Sequence, residues 1–301
     1  MIRFLLLTLL SNPFPNGGEV LIHATSPMTY EGLSHVVLFQ EDIISGAKPV
    51  GIDGFESLMK MKVSTIVCVD GVVPDVKTAK EYGMKTIHLP LKYDAPSDEQ
   101  IFDLVTIVAR ARERGNVYIH CHQGKHRSAA AAAIVSIALG SLTLEEAKVR
   151  MHVSQTSKAY QGLWDAVGQT NIFDVTDLLQ NKKVYPSRVE PEGMTNQMIV
   201  IDDALDNLHR LQRSEWSAPS NHPDLVGAAE VGMIVDTFRA MQLSTETNRF
   251  SDDFETLLVN AMHQASSLEE ALIQELPKDE LYIYLKRVEQ SCINCHATSR
   301  R

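Results

Sequence analysis

Two short stretches of this chain carry side chains whose types and spacing could do chemistry. The first is His120-Cys121-His122-Gln123-Gly124-Lys125-His126-Arg127-Ser128, in which five residues separate a cysteine from an arginine. Five residues let the backbone close round one phosphoryl group, so that successive N–H dipoles and the start of the next helix point at its oxygens. That field favours a thiolate at Cys121, which could attack phosphorus in line while Arg127 holds two equatorial oxygens in bidentate fashion. Ser128 could hydrogen-bond the sulfur when it leaves in a second step. Gly124 lets the loop turn without a clashing Cβ. A buried strand-end cysteine beside a helix-capping arginine would explain none of this spacing.

The second stretch is Cys292-Ile293-Asn294-Cys295-His296. Its spacing is the attachment pattern of haem c: both thiols can reach the vinyl groups of one porphyrin, with the adjacent imidazole of His296 as axial ligand to the iron. Its rivals are a redox or disulfide pair and a zinc site. A redox-active pair usually opens a helix after a strand, where the helix dipole lowers the thiol pKa, whereas this pair closes one. Zinc would want a fourth ligand at recognisable spacing, and none stands out. Covalent haem c is therefore the expected cofactor here, and none is expected for the phosphoryl chemistry.

A leaving alkoxide or phenoxide needs a proton, so an acid is expected on a separate loop upstream. Leu89-Pro-Leu-Lys-Tyr-Asp94-Ala-Pro-Ser-Asp98 offers two. Ser97 and Gln100 form a capping-box pattern that puts Asp98 in a first helical turn, where a dipole role suffices, and leaves Asp94 as the loop residue and first choice. Asp70 and Asp75 read as turn residues. Around the phosphoryl group, His122, Gln123, Gly124, Lys125 and His126 are the candidate substrate-binding positions. Lys125 and a protonatable His126 would add attraction for polyanions, or would simply be solvated.

The elements that must hold these residues change character along the chain. Short apolar runs at Val63–Val69, Lys85–Leu89 and Asn116–His120 alternate with helical stretches, the pattern of a sheet covered by helices. Val117–His120 runs into the cysteine loop, and Ala129–Leu139 reads as the helix after it, stopped by Gly140. Thr143-Leu-Glu-Glu146 caps a further helix, and Lys158–Val167 is another apolar-periodic stretch. Residues 181–193, with two prolines and mixed charge, read as a linker. Beyond it only helical periodicity remains, in four segments: Met198, Ile201, Leu205 and Leu208; Leu225–Met241; Phe254 to Leu272; and Leu281, Leu285, Val288, Cys292 and Cys295. The expected order is an export signal and extension at 1–29, an α/β domain at 30–180, the linker, and an all-α four-helix bundle at 194–301.

The His-Cys-x5-Arg-Ser loop resembles that of the cysteine-dependent protein phosphatases, particularly the dual-specificity group. The resemblance covers roughly Gly32 to Val175 and implies Cys121 as nucleophile, Arg127 as phosphate ligand and Asp94, by its distance before Cys121, as acid. The run Gly124-Lys-His-Arg127 is similar to the loop of fungal and plant atypical members that act on inositol pyrophosphates. From about Thr195 onward the chain resembles cytochrome c′, a bundle with the haem-attachment pattern near the end of its last helix and a basic residue four beyond the histidine, here Arg300. That resemblance implies His296 as proximal ligand and a residue of the first helix, Met198 or Ile201, over the distal face.

Net charge is −10 and unevenly spread: 19 acidic against 9 basic residues from Glu190 onward, and 19 against 19 before it. Such a balance argues against nucleic acid as partner, which needs a basic face. No apolar run reaches the length that spans a bilayer, about 20 residues. The opening Met1-Ile-Arg-Phe-Leu-Leu-Leu-Thr-Leu-Leu10 has the basic residue and short apolar core of an export signal, with Ile22-His23-Ala24 as the best cleavage candidate. Covalent haem implies a periplasmic or otherwise exported protein; an unused haem motif would leave it cytoplasmic. Two functions stay open: a phosphomonoester hydrolase acting on a phosphoprotein or small phosphoester and fused to a haem domain for electron transfer or sensing, or a haem sensor or carrier whose first domain only binds phosphorylated ligands. A redox partner and a dimer through the bundle are further expectations.

Overall fold

The computed structural model describes residues 24–189, 193–220, 222–223, 225–247, 250 and 252–299. Six strands, β1 (Met28–Tyr30), β2 (Leu33–Leu38), β3 (Ile43–Ala47), β4 (Val63–Cys68), β5 (Lys85–His88) and β6 (Asn116–Cys121), form one mixed sheet in the order β1-β2-β3-β6-β4-β5. β3, β6, β4 and β5 are parallel, while β1 and β2 add an antiparallel edge. The central strands are buried on both faces, which is why they read as continuous apolar runs rather than alternating ones. Register places Ala47 beside Cys121, and Cys68 beside His120. The carboxyl ends of three strands thus converge on the cysteine loop, where open parallel sheets bind ligands.

Helices α1 (Gly51–Lys60), α2 (Val76–Glu81), α3 (Asp98–Arg112), α4 (Arg127–Ala138), α5 (Leu144–Val153), α6 (Gln161–Gly168) and α7 (Val175–Gln180) complete this part. α4 is buried along its whole length, and its run of alanines lets it pack closely against sheet and helices at once. Both expected capping boxes form, Ser97 with Gln100 on α3 and Thr143 with Glu146 on α5.

The remaining helices are α8 (Met194–Arg213), α9 (Gly227–Gln242), α10 (Asp252–Ile273) and α11 (Lys278–Ser299). They share a core of Ile201, Leu208, Val231, Ile234, Leu258, Leu268, Leu285 and Val288 among others, so the four expected helices and their apolar stripes are present. Among the described residues no helix is long and apolar enough to cross a membrane.

The expected boundaries need correction. β1 begins at Met28, inside the stretch assigned to an N-terminal extension; residues 1–23, with most of the proposed cleavage site, lie outside the described residues, as does Arg300. Residues 181–189 are not a free linker. Lys183 Nζ binds Asp103 Oδ2 at 2.6 Å, Tyr185 OH donates to Asp103 Oδ1 at 2.9 Å, and the His88 and Val189 amides bond to Pro186 O and His88 Nδ1. Polar composition reads as a tether in sequence, yet here those polar groups find partners on the first domain. The cores are contiguous as well, since Ala228 and Ala229 of α9 pack into the sheet domain's core.

Candidate functional site

β6 delivers Cys121 to the sheet's carboxyl edge, and α4 starts at Arg127, so the loop between them is pinned at both ends. It is also stapled from the sides: the Lys48 amide donates to His122 O, and Thr156 Oγ1 donates to Lys125 O at 2.6 Å. Gly124 has φ +76°, and a Cβ there would lie 2.3 Å from the Ala47 amide nitrogen, so only glycine closes this turn against β3. Ser128 Oγ stands 3.4 Å from Cys121 Sγ, within hydrogen-bonding reach of a sulfur.

Arg127 is 1% exposed. Its Nη1 donates to Leu91 O at 3.2 Å and to Asp236 Oδ2 at 2.6 Å; its Nη2 donates to Asp70 Oδ1 at 3.2 Å and to Tyr93 OH at 3.1 Å. The Tyr93 ring lies 4.2 Å from the guanidinium carbon. Nε is buried without a hydrogen-bond partner, an orphaned charge-bearing donor beside the cysteine loop. Arg239 binds both carboxylates, Asp70 Oδ2 at 2.9 Å and Asp236 Oδ1 at 2.8 Å, and so closes a four-residue network. Burial alone would raise the Asp70 pKa, but Arg127 and Arg239 outweigh it and hold the carboxyl well below the usual range.

Asp70 is thus not merely a turn residue: it is buried and ion-paired to both arginines. Asp75 does cap a helix, accepting from the Thr78 amide. The expected charge on His126 also needs correction. Burial pushes its pKa down to about 3, with Lys125 and Arg127 adding to the shift, and the Ser157 amide donates to its Nδ1, so it is neutral near pH 7. His122 is pushed down to about 4, chiefly by burial. Gln123 is exposed and Lys125 half-buried. Asp94 is exposed on the loop between β5 and α3, directly after Tyr93, with its backbone against Gly162. Asp98 occupies the first turn of α3.

Sequence reasoning missed Tyr93, Asp236 and Arg239. The last two had a signal, a charged pair at i and i+3 in the apolar run Met233-Ile-Val-Asp-Thr-Phe-Arg-Ala-Met241. Its destination on another domain was not legible.

In the bundle, a cavity of about 940 Å³ is lined by Cys292, Cys295 and His296 together with Met198, Ile201, Phe238 and Phe254. Both cysteines are free, and burial raises the pKa of each thiol, the opposite of what a redox-active pair requires. Among the described residues, no group of three or more His, Cys, Asp or Glu is arranged to hold a metal ion.

Residues 44–141 match the family model described as Tc-R-P, polymorphic toxin system, DSP-PTPase phosphatase. No curated protein matches the chain. Among solved structures, P. aeruginosa TpbA is 18% identical over 52% of this chain and 94% of its own, with a TM-score of 0.42. The core catalytic domain of the PP-IP phosphatase SIW14 from S. cerevisiae is 18% identical over 51% and 93%, with a TM-score of 0.40. The Cys121 loop and the family match spanning it make the sheet domain a cysteine phosphatase of the dual-specificity and tyrosine type.

Proposed function

We propose that the chain hydrolyses phosphomonoesters through a phosphocysteine on Cys121 and carries haem c in its helical bundle. The observation that carries the first part is the buried Arg127, its Nε unpartnered, with Ser128 Oγ 3.4 Å from the Cys121 sulfur. In the first step the thiolate attacks phosphorus, the S–P bond forms as the P–O bond breaks, and Asp94 gives its proton to the departing alkoxide or phenoxide. Arg127 and the loop amides balance the charge on the equatorial oxygens. In the second step water attacks phosphorus, Asp94 takes its proton, and Ser128 hydrogen-bonds the sulfur as it leaves as thiolate. The substrate is a phosphoprotein or a small phosphoester; with His126 neutral, Lys125 alone of the two adds loop charge for a polyanion.

For the bundle, the support is the cavity that the haem-attachment residues share with a largely apolar lining, which also includes Asp202 and Glu246. Cys292 and Cys295 would hold the porphyrin by thioethers and His296 would ligate iron. When bound, haem supplies one-electron or gas-ligand chemistry. Met198 and Ile201, the expected distal residues, both line this cavity.

The test is Cys121→Ser, expected to abolish turnover of an aryl phosphate while retaining affinity for inorganic phosphate; turnover equal to the parent would remove the cysteine mechanism. A visible spectrum of the chain made in a host with haem-attachment machinery, taken before and after acid–acetone extraction, tests the second half. Colour that extracts, or no colour, defeats it.

A further inference from the structure

The phosphate arginine is held from outside its own domain. Leu91 O, Tyr93 OH and Asp70 come from the sheet domain, but the shortest contact to Arg127, at 2.6 Å, is made by Asp236 of α9. Asp236 is in turn gripped by Arg239, one turn further along the same helix, which also reaches Asp70. The bundle therefore inserts a charge-neutral pair, one carboxylate and one guanidinium, against an arginine–aspartate pair of the sheet domain. The contact is not a lone surface bridge, since Arg127, Asp70 and Arg239 are each more than nine-tenths buried.

Two readings of such a carboxylate differ in what they leave free. A carboxylate standing in for substrate would take two guanidinium donors, as phosphoryl oxygens do in bidentate pairs. Asp236 takes one, Nη1, and gives its other oxygen to Arg239, while Arg127 Nε stays without a partner. With Nη1 tied to Leu91 and α9, and Nη2 tied to Asp70 and Tyr93, the guanidinium plane is fixed and Nε alone is left for a ligand, so the two-oxygen grip expected of Arg127 is replaced in this arrangement by a single donor. Such fixing removes rotational freedom before substrate arrives.

We infer that the helical bundle completes the phosphatase site: Asp236, clamped by Arg239, is a positioning residue that orients Arg127 for the phosphoryl group. The inference rests on the cysteine-phosphatase reading of the loop, and its test is arranged so that the two fail separately.

The affinity of the full-length chain for inorganic phosphate is measured in a Cys121→Ser background, where no turnover is needed. Adding Asp236→Asn, which keeps shape and removes charge, is expected to weaken phosphate binding by about tenfold, and Arg239→Gln by a smaller factor in the same direction. Asp236→Glu keeps the charge and is expected to recover part of the loss. In the otherwise unmodified chain, Asp236→Asn should raise KM for an aryl phosphate more than it lowers kcat. Unchanged phosphate affinity in folded Asp236→Asn would overturn the inference. So would tighter binding with faster turnover, which would make Asp236 an occupant of the phosphate place. Should the variants fail to fold, a crystal structure of the unmodified chain with tungstate decides: the oxyanion at Arg127 Nε with the Asp236 contact intact supports the inference, and Asp236 displaced from Arg127 overturns it.

Discussion

Asp94 and Asp98 sit four residues apart, yet their surroundings give them different work. Asp98 lies in the first turn of α3 beside Glu99, where the N-terminal dipole accounts for a carboxylate. Asp94 is on the loop whose preceding residue, Tyr93, covers the Arg127 guanidinium, so it follows directly a residue that touches the arginine of the cysteine loop. Asp94→Asn is accordingly expected to slow hydrolysis of alkyl phosphates, poor leaving groups that need a proton, by about a hundredfold, against a few-fold for a nitrophenyl ester. Paired kinetics on the two substrates check this. The same selectivity in Asp98→Asn and not in Asp94→Asn would move the acid to the helix.

At the scale of the element, the face of α9 and α10 that meets the sheet domain is close-packed and carries an unusual acid. Glu269 of α10 accepts from Tyr160 OH at 2.7 Å, and Tyr160 stacks on Tyr93 with ring centroids 4.7 Å apart. A Cβ on Gly232 of α9 would come within 2.8 Å of the Tyr93 ring, so this helix approaches the loop as closely as it does because the position has no side chain. Burial, with Asp236 adding to it, pushes the Glu269 carboxyl up from its ordinary 4.5 to about 7. A carboxyl raised in the folded state binds its proton more tightly there than in the unfolded chain. Its contribution is therefore whole below pH 4.5 and is lost as pH rises towards and through 7. Glu269→Gln should remove that loss. Relative to the parent, the variant's unfolding free energy should rise between pH 4.5 and 8 by up to about 3 kcal/mol. Urea unfolding at the two ends of that range measures it, and a constant difference between variant and parent would show that Glu269 does not titrate in this way.

For the whole molecule, α9 is the element that touches both the Arg127 network and the cavity beside Cys292, Cys295 and His296. Phe238 lines the cavity that holds the two cysteines and His296, while Asp236 and Arg239 reach the Arg127 network. A displacement of α9 at one site is expected to reach the other, and a coupling between binding sites must run in both directions. If the bundle carries haem as proposed, affinity for inorganic phosphate is expected to differ by about fivefold between the ferric and the ferrous protein. Equal affinities would leave the two halves energetically independent despite their shared helix.

The sequence by itself determined the local features of this protein. The Cys-x5-Arg loop, the glycine that closes it, both capping boxes, the parallel strands β4, β5 and β6 and the four apolar stripes of the bundle all follow from spacing and periodicity, which act over a few residues. Strands β1, β2 and β3 were not among those read from the sequence, because segments of three to six residues carry little periodic signal. Only the tertiary structure decided the long-range matters. His126 looked like added positive charge and is neutral near pH 7 because of burial, which depends on packing rather than residue type. Asp70 looked like a turn residue and became an ion-pair partner because two arginines, 57 and 169 residues away in the chain, meet it. Residues 181–189 looked like a tether and became a strap once Asp103 and His88 offered partners. Asp236 and Arg239 were visible as charges in an apolar helix, but a sequence does not say which distant surface will neutralise a buried charge; that is set when the two domains pack and water is excluded between them.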